Sequence, residues 1–197
     1  MALIDLFPIQ IFHGNLSQDF NIPTNLWDGC REGAWSGETG QSTGEVDVFL
    51  HEREDSVRNL IDALFPSVLE YWEHLGYAPA DIQPVSSWAN NHRSGDYTRE
   101  HSHSDGIRQS HISAVYYIEK CDGGDIEFVN PLDYIHRLTP RVGEVGDMLL
   151  SESVRTETWD FLLFPGWLRH RTQPTLHPRK AISINFTGFH AENRYKV

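Results

Sequence analysis

Between Val57 and Leu75 the apolar residues Val57, Leu60, Ile61, Leu64, Val68, Leu69, Trp72 and Leu75 recur three and four positions apart. That is the period of a helix with one buried face. Pro66 falls inside the pattern. Its missing N–H and its ring predict a kink there, or two short helices. Beyond residue 82 the period shortens. QPVSSWA, HISAVYYIE, GDIEFV, DMLLS, WDFLLF and KAISINFTG are short runs rich in β-branched and aromatic residues, several of them separated by turns such as Asp122-Gly123-Gly124 and Pro140-Arg141-Val142-Gly143. They read as strands. The first 50 residues are loop-rich, with Gly33, Gly37, Gly40 and Gly44 closely spaced. Helices first and strands afterwards predict a helical buttress (residues 1–80) on a β-sandwich or barrel (residues 82–190). No helical crossover separates the later strands, which argues against a parallel α/β sheet.

Length and composition narrow the function. At 197 residues, with 39% apolar and 22% charged residues, the chain is expected to form one globular domain over 1–197, large enough to enclose a pocket. The 28 acids outnumber the 16 Lys and Arg, for a net charge of −12. Such a surface repels phosphate backbones, so nucleic acid is not the expected partner. Cys30 and Cys121 are the two cysteines and form no CxxC pair, unlike a disulfide-stapled secreted scaffold or a thiolate zinc site. The apolar start MALIDLFPIQIF has no basic n-region and is interrupted by Asp5, so it does not read as a signal peptide. No apolar run approaches the roughly 20 residues of a membrane helix. A cytoplasmic location without a membrane partner is therefore expected.

The candidate chemistry lies in Glu100-His101-Ser102-His103-Ser104-Asp105 and in His170, which follows the apolar stretch FLLFPGWL. A His-x-Asp pair with one distant His is the ligand set of the 2-His-1-carboxylate facial triad. It occupies one face of Fe(II) and leaves positions open for a chelating cosubstrate and O2. Nine residues past His170 comes Arg179, opening the strand KAISINFTG. Strand parity places Arg179, Ala181, Ser183 and Asn185 on one face, and Ile182, Ile184 and Phe186 on the other. An Arg and a Ser pointing into a barrel make a carboxylate receptor. Tyr117, on the face of Ser113 and Val115, is a candidate further donor. Trp88, Asn90, Arg93, Tyr97, Arg108 and Trp159 are candidates for the mouth of the site, with Trp88, Asn90 and Arg108 taken as the substrate-contacting set.

In the order HSHSDG, SAVYYIEK, GGDIEF, FLLFPGWLRH, RKAISINF, the chain resembles the Fe(II)/2-oxoglutarate-dependent dioxygenases of the prolyl-hydroxylase-like branch. LFPIQIF, the helix near 56–75 and SWANNHRSGDY resemble small oxygenases of bacteria and phages. The resemblance implies a double-stranded β-helix (jelly-roll, cupin-like) with N-terminal helices. It also implies Fe(II), 2-oxoglutarate and O2 as cofactor and cosubstrates, and a hydroxylated small-molecule or peptide substrate, a peptidyl proline or amino acid being the first expectation. It assigns His103, Asp105 and His170 to the metal, and Arg179, with Ser183 and Tyr117, to the cosubstrate. The chain departs from the His-x-His-Pro segment frequent in those small oxygenases, so His101 stands as an alternative ligand. His101, His103 and His170 would also make the three-histidine site of a ketoacid-independent dioxygenase or a zinc-binding module. That reading leaves Arg179 and Ser183 without a role. A non-enzymatic binding barrel is a third reading, and it predicts no metal-dependent turnover.

Overall fold

The computed structural model describes residues 8–32, 41–44, 47–104, 110–133 and 150–189. The apolar stripe starting at Val57 folds into one helix, α3 (Asp55–His74), which runs through Pro66 without a break. Of the two expected outcomes, a kink or two short helices, the division into two does not occur. The helix packs so well that it tolerates one lost backbone bond: Leu60, Leu64 and Val68 are completely buried, and each such side chain contributes about 1.5–3 kcal/mol. Leu69 was expected on that face but is exposed. It falls just off the stripe, whose place at this turn Tyr71 takes.

Before α3 come β1 (Phe12–Asn15), α1 (Thr24–Asp28), β2 (Arg31–Glu32), β3 (Gln41–Ser42) and α2 (Leu50–Arg53). After it come β4 (Asp81–His92), β5 (Thr98–His101), β6 (Ile112–Glu119), β7 (Ile126–Val129), β8 (Ser151–Val154), β9 (Asp160–Pro165), β10 (His170–Thr172) and β11 (Arg179–Phe189). Five of the six predicted strands appear as β4, β6, β7, β9 and β11. Most of DMLLS lies outside the described residues, and β8 begins at its final Ser151. The strands β5 and β10 were not anticipated, being too short to show a period.

Among the described residues the strands form two antiparallel sheets, ordered β1-β9-β6-β11-β4-β3-β2 and β5-β10-β7-β8. This is the jelly-roll arrangement of a double-stranded β-helix, open rather than a closed barrel. Alternation along β11 gives the large sheet two apolar faces. Ile182, Ile184 and Phe186 join Ala114, Tyr116 and the α3 stripe in the larger core. Ala181 joins Val115, Tyr117 and Phe164 in a second core, with Ile126 and Phe128 of the small sheet. Of the predicted buttress, α3 packs behind the large sheet, whereas β1, β2 and β3 lie within that sheet at its two ends; the candidate site opens on the other face. No helix among the described residues is long and apolar enough to cross a membrane.

Candidate metal centre

Three histidines converge between the sheets. His101 ends β5, His170 starts β10, and the two are direct partners in the ladder. His103 lies two residues beyond β5, where its backbone N–H donates to the Gly166 carbonyl at 2.8 Å. One ring nitrogen of each histidine lies within 4.8 Å of the others. Asp105 and Arg108, expected at the metal and the substrate mouth, lie outside the described residues.

In each ring Nδ1 already has an acceptor. His101 Nδ1 donates to the Arg99 carbonyl at 2.7 Å and His170 Nδ1 to the Leu168 carbonyl at 2.8 Å. His103 Nδ1 contacts Asn185 Oδ1 at 2.8 Å and Ser113 Oγ at 2.7 Å. A carbonyl oxygen can only accept, so each Nδ1 carries the proton and each lone pair sits on Nε2. Burial keeps the rings neutral. It pushes the His103 pKa down to about 3, aided by neighbouring His101. The His170 pKa goes well below its ordinary value through burial and then the other two histidines. Burial likewise lowers that of His101. Neutral imidazoles are the form in which histidine binds a transition metal. His103 Nε2 is buried with no hydrogen-bond partner.

The cavity holding these rings is also lined by Trp88, Asn90, Thr98, Phe164, Arg179 and Ser183. Register explains the grouping: along β4 and β11, Trp88 faces Ser183 and His92 faces Arg179. Arg179 is buried at 4% exposure, and among the described residues its guanidinium makes no ion pair. Its Nε lacks any partner, as does the buried hydroxyl of Tyr117, over whose ring the guanidinium lies at 5.0 Å. Gly124, at φ +64°, lets the backbone pass over this side chain, because a Cβ there would stand 2.6 Å from Thr175 Cγ2 and 3.2 Å from Arg179 Cδ. Ser183 Oγ accepts from Asn90 Nδ2 at 3.0 Å, and Trp88 meets His103 edge-on with centroids 5.4 Å apart.

Trp159 lines a different, surface cavity of about 520 Å³ with Lys120 and Arg155, and Arg93 and Tyr97 are not in the lining of the histidine cavity. Sequence reading passed over His92, although strand parity places it on the face of Trp88 and Asn90.

Residues 86–187 match the family model described as 2OG-Fe(II) oxygenase. The chain belongs to that family. A 2OG-Fe(II) oxygenase is an oxidoreductase that uses Fe(II), 2-oxoglutarate and O2, and the site suits such a group. Imidazole ligands hold iron well, and the orphaned His103 Nε2 is otherwise a buried polar atom with no compensation.

Solved structures share the fold. HygX from Streptomyces hygroscopicus with nickel and 2-oxoglutarate bound superposes with a TM-score of 0.60 at 11% identity, over 93% of this chain and 84% of that one. A Pseudomonas putida prolyl-4-hydroxylase gives 0.58 at 13% identity, over 92% and 94%. The chain spans 58% of the length of a Burkholderia pseudomallei oxidoreductase of the 2OG-Fe(II) oxygenase family, over 68% of this chain, with a TM-score of 0.48 and 11% identity. No curated protein sequence matches the chain.

Proposed function

We propose that the protein is a dioxygenase that hydroxylates a small molecule or peptide, with Fe(II) held by Nε2 of His101, His103 and His170 and 2-oxoglutarate anchored by Arg179. The observation that carries this reading is the buried Arg179 guanidinium, without an acidic partner among the described residues, in the same cavity as three convergent neutral imidazoles. An uncompensated buried cation is costly. A carboxylate from a bound cosubstrate removes that cost, with the Tyr117 hydroxyl and Ser183 as further hydrogen-bonding groups.

When bound, Fe(II) and 2-oxoglutarate activate O2, one oxygen atom ending in succinate, released with CO2, and the other in a substrate C–H bond. The chain's residues supply the rest. Three neutral ligands leave the doubly positive ion uncompensated, so the charge of the site matches a dianionic ketoacid more closely than a ligand set containing a carboxylate. Trp88 and Phe164 shield the cavity from water, and Asn90 fixes the Ser183 hydroxyl. Neighbours of the same fold carry either a small molecule, hygromycin B in HygX, or a peptide fragment, in the prolyl hydroxylase of Trichoplax adhaerens. The substrate is proposed from these two classes, with peptidyl proline or an amino acid first. The unpaired thiols of Cys30 and Cys121 fit a reducing compartment such as the cytoplasm.

Anaerobic titration with Fe(II) and then 2-oxoglutarate tests the reading. It is expected to produce the weak visible charge-transfer band of a chelated ketoacid, and in air slow succinate release without substrate. Folded, iron-loaded protein that shows neither would favour the three-histidine, ketoacid-independent alternative.

A further inference from the structure

Asn185 sits on β11 directly opposite Ser86 of β4 and Ser113 of β6. These three polar side chains lie in the middle of the large sheet, with Ser113 completely buried and Ser86 and Asn185 each at 7% exposure. Ser113 Oγ donates to Asn185 Oδ1 at 2.8 Å, and Asn185 Nδ2 donates to Ser86 Oγ at 3.0 Å. The amide is therefore held from both flanking strands. Its carbonyl oxygen faces His103 Nδ1. Immediately beyond Asn185 the β4–β11 ladder shifts register, with Phe186 opposite Pro84. Bulges of this kind re-aim side chains next to active sites.

Burying such a chain of hydrogen bonds in a sheet costs free energy unless every member is satisfied. Apolar residues at these positions would pack as well. The chain ends at the one clustered histidine that does not bond a nearby backbone carbonyl through Nδ1. His101 and His170 each reach the carbonyl two residues before them, whereas His103 Nδ1 meets the Asn185 amide oxygen at 2.8 Å and the Ser113 hydroxyl, itself bonded to that amide, at 2.7 Å.

We propose that Asn185, braced by Ser86 and Ser113, is the positioning residue of the metal centre. It fixes His103 as the Nδ1–H tautomer and directs Nε2 towards the ion. The inference rests on the reading of His103 as a ligand.

The test is Co(II) titration of the full-length protein, followed by its d–d absorption, alongside thermal melts of the metal-free forms. Removing a hydrogen bond that orients a ligand typically weakens metal binding about 10–100-fold. Asn185→Ala is expected to fall in that range with an altered d–d spectrum. Asn185→Asp restores an acceptor for Nδ1–H, the Ser86 hydroxyl turning to donate, and is expected to recover affinity to within about threefold of the parent. If Asn185→Ala does not fold, Ser113→Ala takes its place, with a smaller loss expected. Parent-like affinity in Asn185→Ala, or in Ser113→Ala where that stands in, overturns the proposal. So does a weakening that Asn185→Asp fails to rescue, which would mark a purely structural role. His103→Ala separates the two levels. If it binds Co(II) as tightly as the parent, the ligand reading fails; if it loses Co(II) while Asn185→Ala keeps it, only the positioning role fails.

Discussion

His170 lies directly across the β5–β10 ladder from His101, with ring centroids 4.3 Å apart. Each ring is tied through Nδ1 to the backbone carbonyl two residues earlier. Strand pairing and local tethers therefore present the two Nε2 atoms side by side, and His103 closes the group with centroids 5.1 Å from His101 and 5.0 Å from His170.

Iron binding by single variants distinguishes the two ligand assignments. If the three histidines hold the ion as proposed, substituting His101, His103 or His170 by Ala is expected to leave the protein without stoichiometric iron, since each would remove a metal bond. Asp105→Ala is expected to retain iron within about tenfold of the parent affinity, the lower end of effects on groups outside the coordination sphere. Iron content after anaerobic loading and desalting decides it. An Asp105→Ala protein without iron, next to a His101→Ala protein that keeps it, would restore the set of His103, Asp105 and His170.

Arg179→Met separates cosubstrate binding from metal binding. A hydrogen bond to a charged group contributes about 1.5–3 kcal/mol, so 2-oxoglutarate affinity should fall at least about tenfold. Iron content should be unchanged. The buried guanidinium has no acidic partner among the described residues, so the melting temperature of the cosubstrate-free protein is expected to hold or rise. A marked drop in that temperature would make Arg179 a structural residue.

Acid is expected to destabilise the metal-free protein from an unusually high pH. Burial, reinforced by Arg179, lowers the pKa of His92 from 6.5 to about 3, and His103 is likewise lowered to about 3. As pH falls below 6.5 the unfolded chain takes up these protons and the folded protein does not, so stability declines until pH reaches about 3. Each such group contributes about 1.4 kcal/mol per pH unit. Melting curves between pH 7 and 5, above most carboxylate titration, measure the slope, and His92→Gln should reduce it. A flat profile would show that these histidines are not held neutral.

Gly166 accepts the backbone N–H of His103 and donates its own N–H to His111, with no room for a side chain. A Cβ there would lie 2.2 Å from the Ser110 carbonyl oxygen. Gly166→Ala is expected to cost about 1–3 kcal/mol, as overpacked sites do, and to weaken metal binding by moving His103. Melting together with Co(II) titration checks both effects; a destabilised protein with parent-like affinity would show that this anchor is dispensable to the site.

The sequence by itself determined the layers and the facing of the long elements. Helical period and strand parity are local properties, so the α3 stripe, the face shared by Arg179, Ser183 and Asn185, and the opposite face of Ile182, Ile184 and Phe186 could be read without a partner in view. The candidate residues were legible as types at a spacing, and the family resemblance gave them an order. Tertiary structure decided which of them meet. β5 and β10 are four and three residues long, too short to carry a period, yet their pairing sets His101 against His170. Parity along the segment 101–105 could not choose among His101, His103 and Asp105. The placing of Asn185 and His92 likewise depended on register across β4, β6 and β11. Periodicity tells a side chain which face to take, but register and sheet packing depend on the whole chain, and a metal centre needs its donors converged at one point.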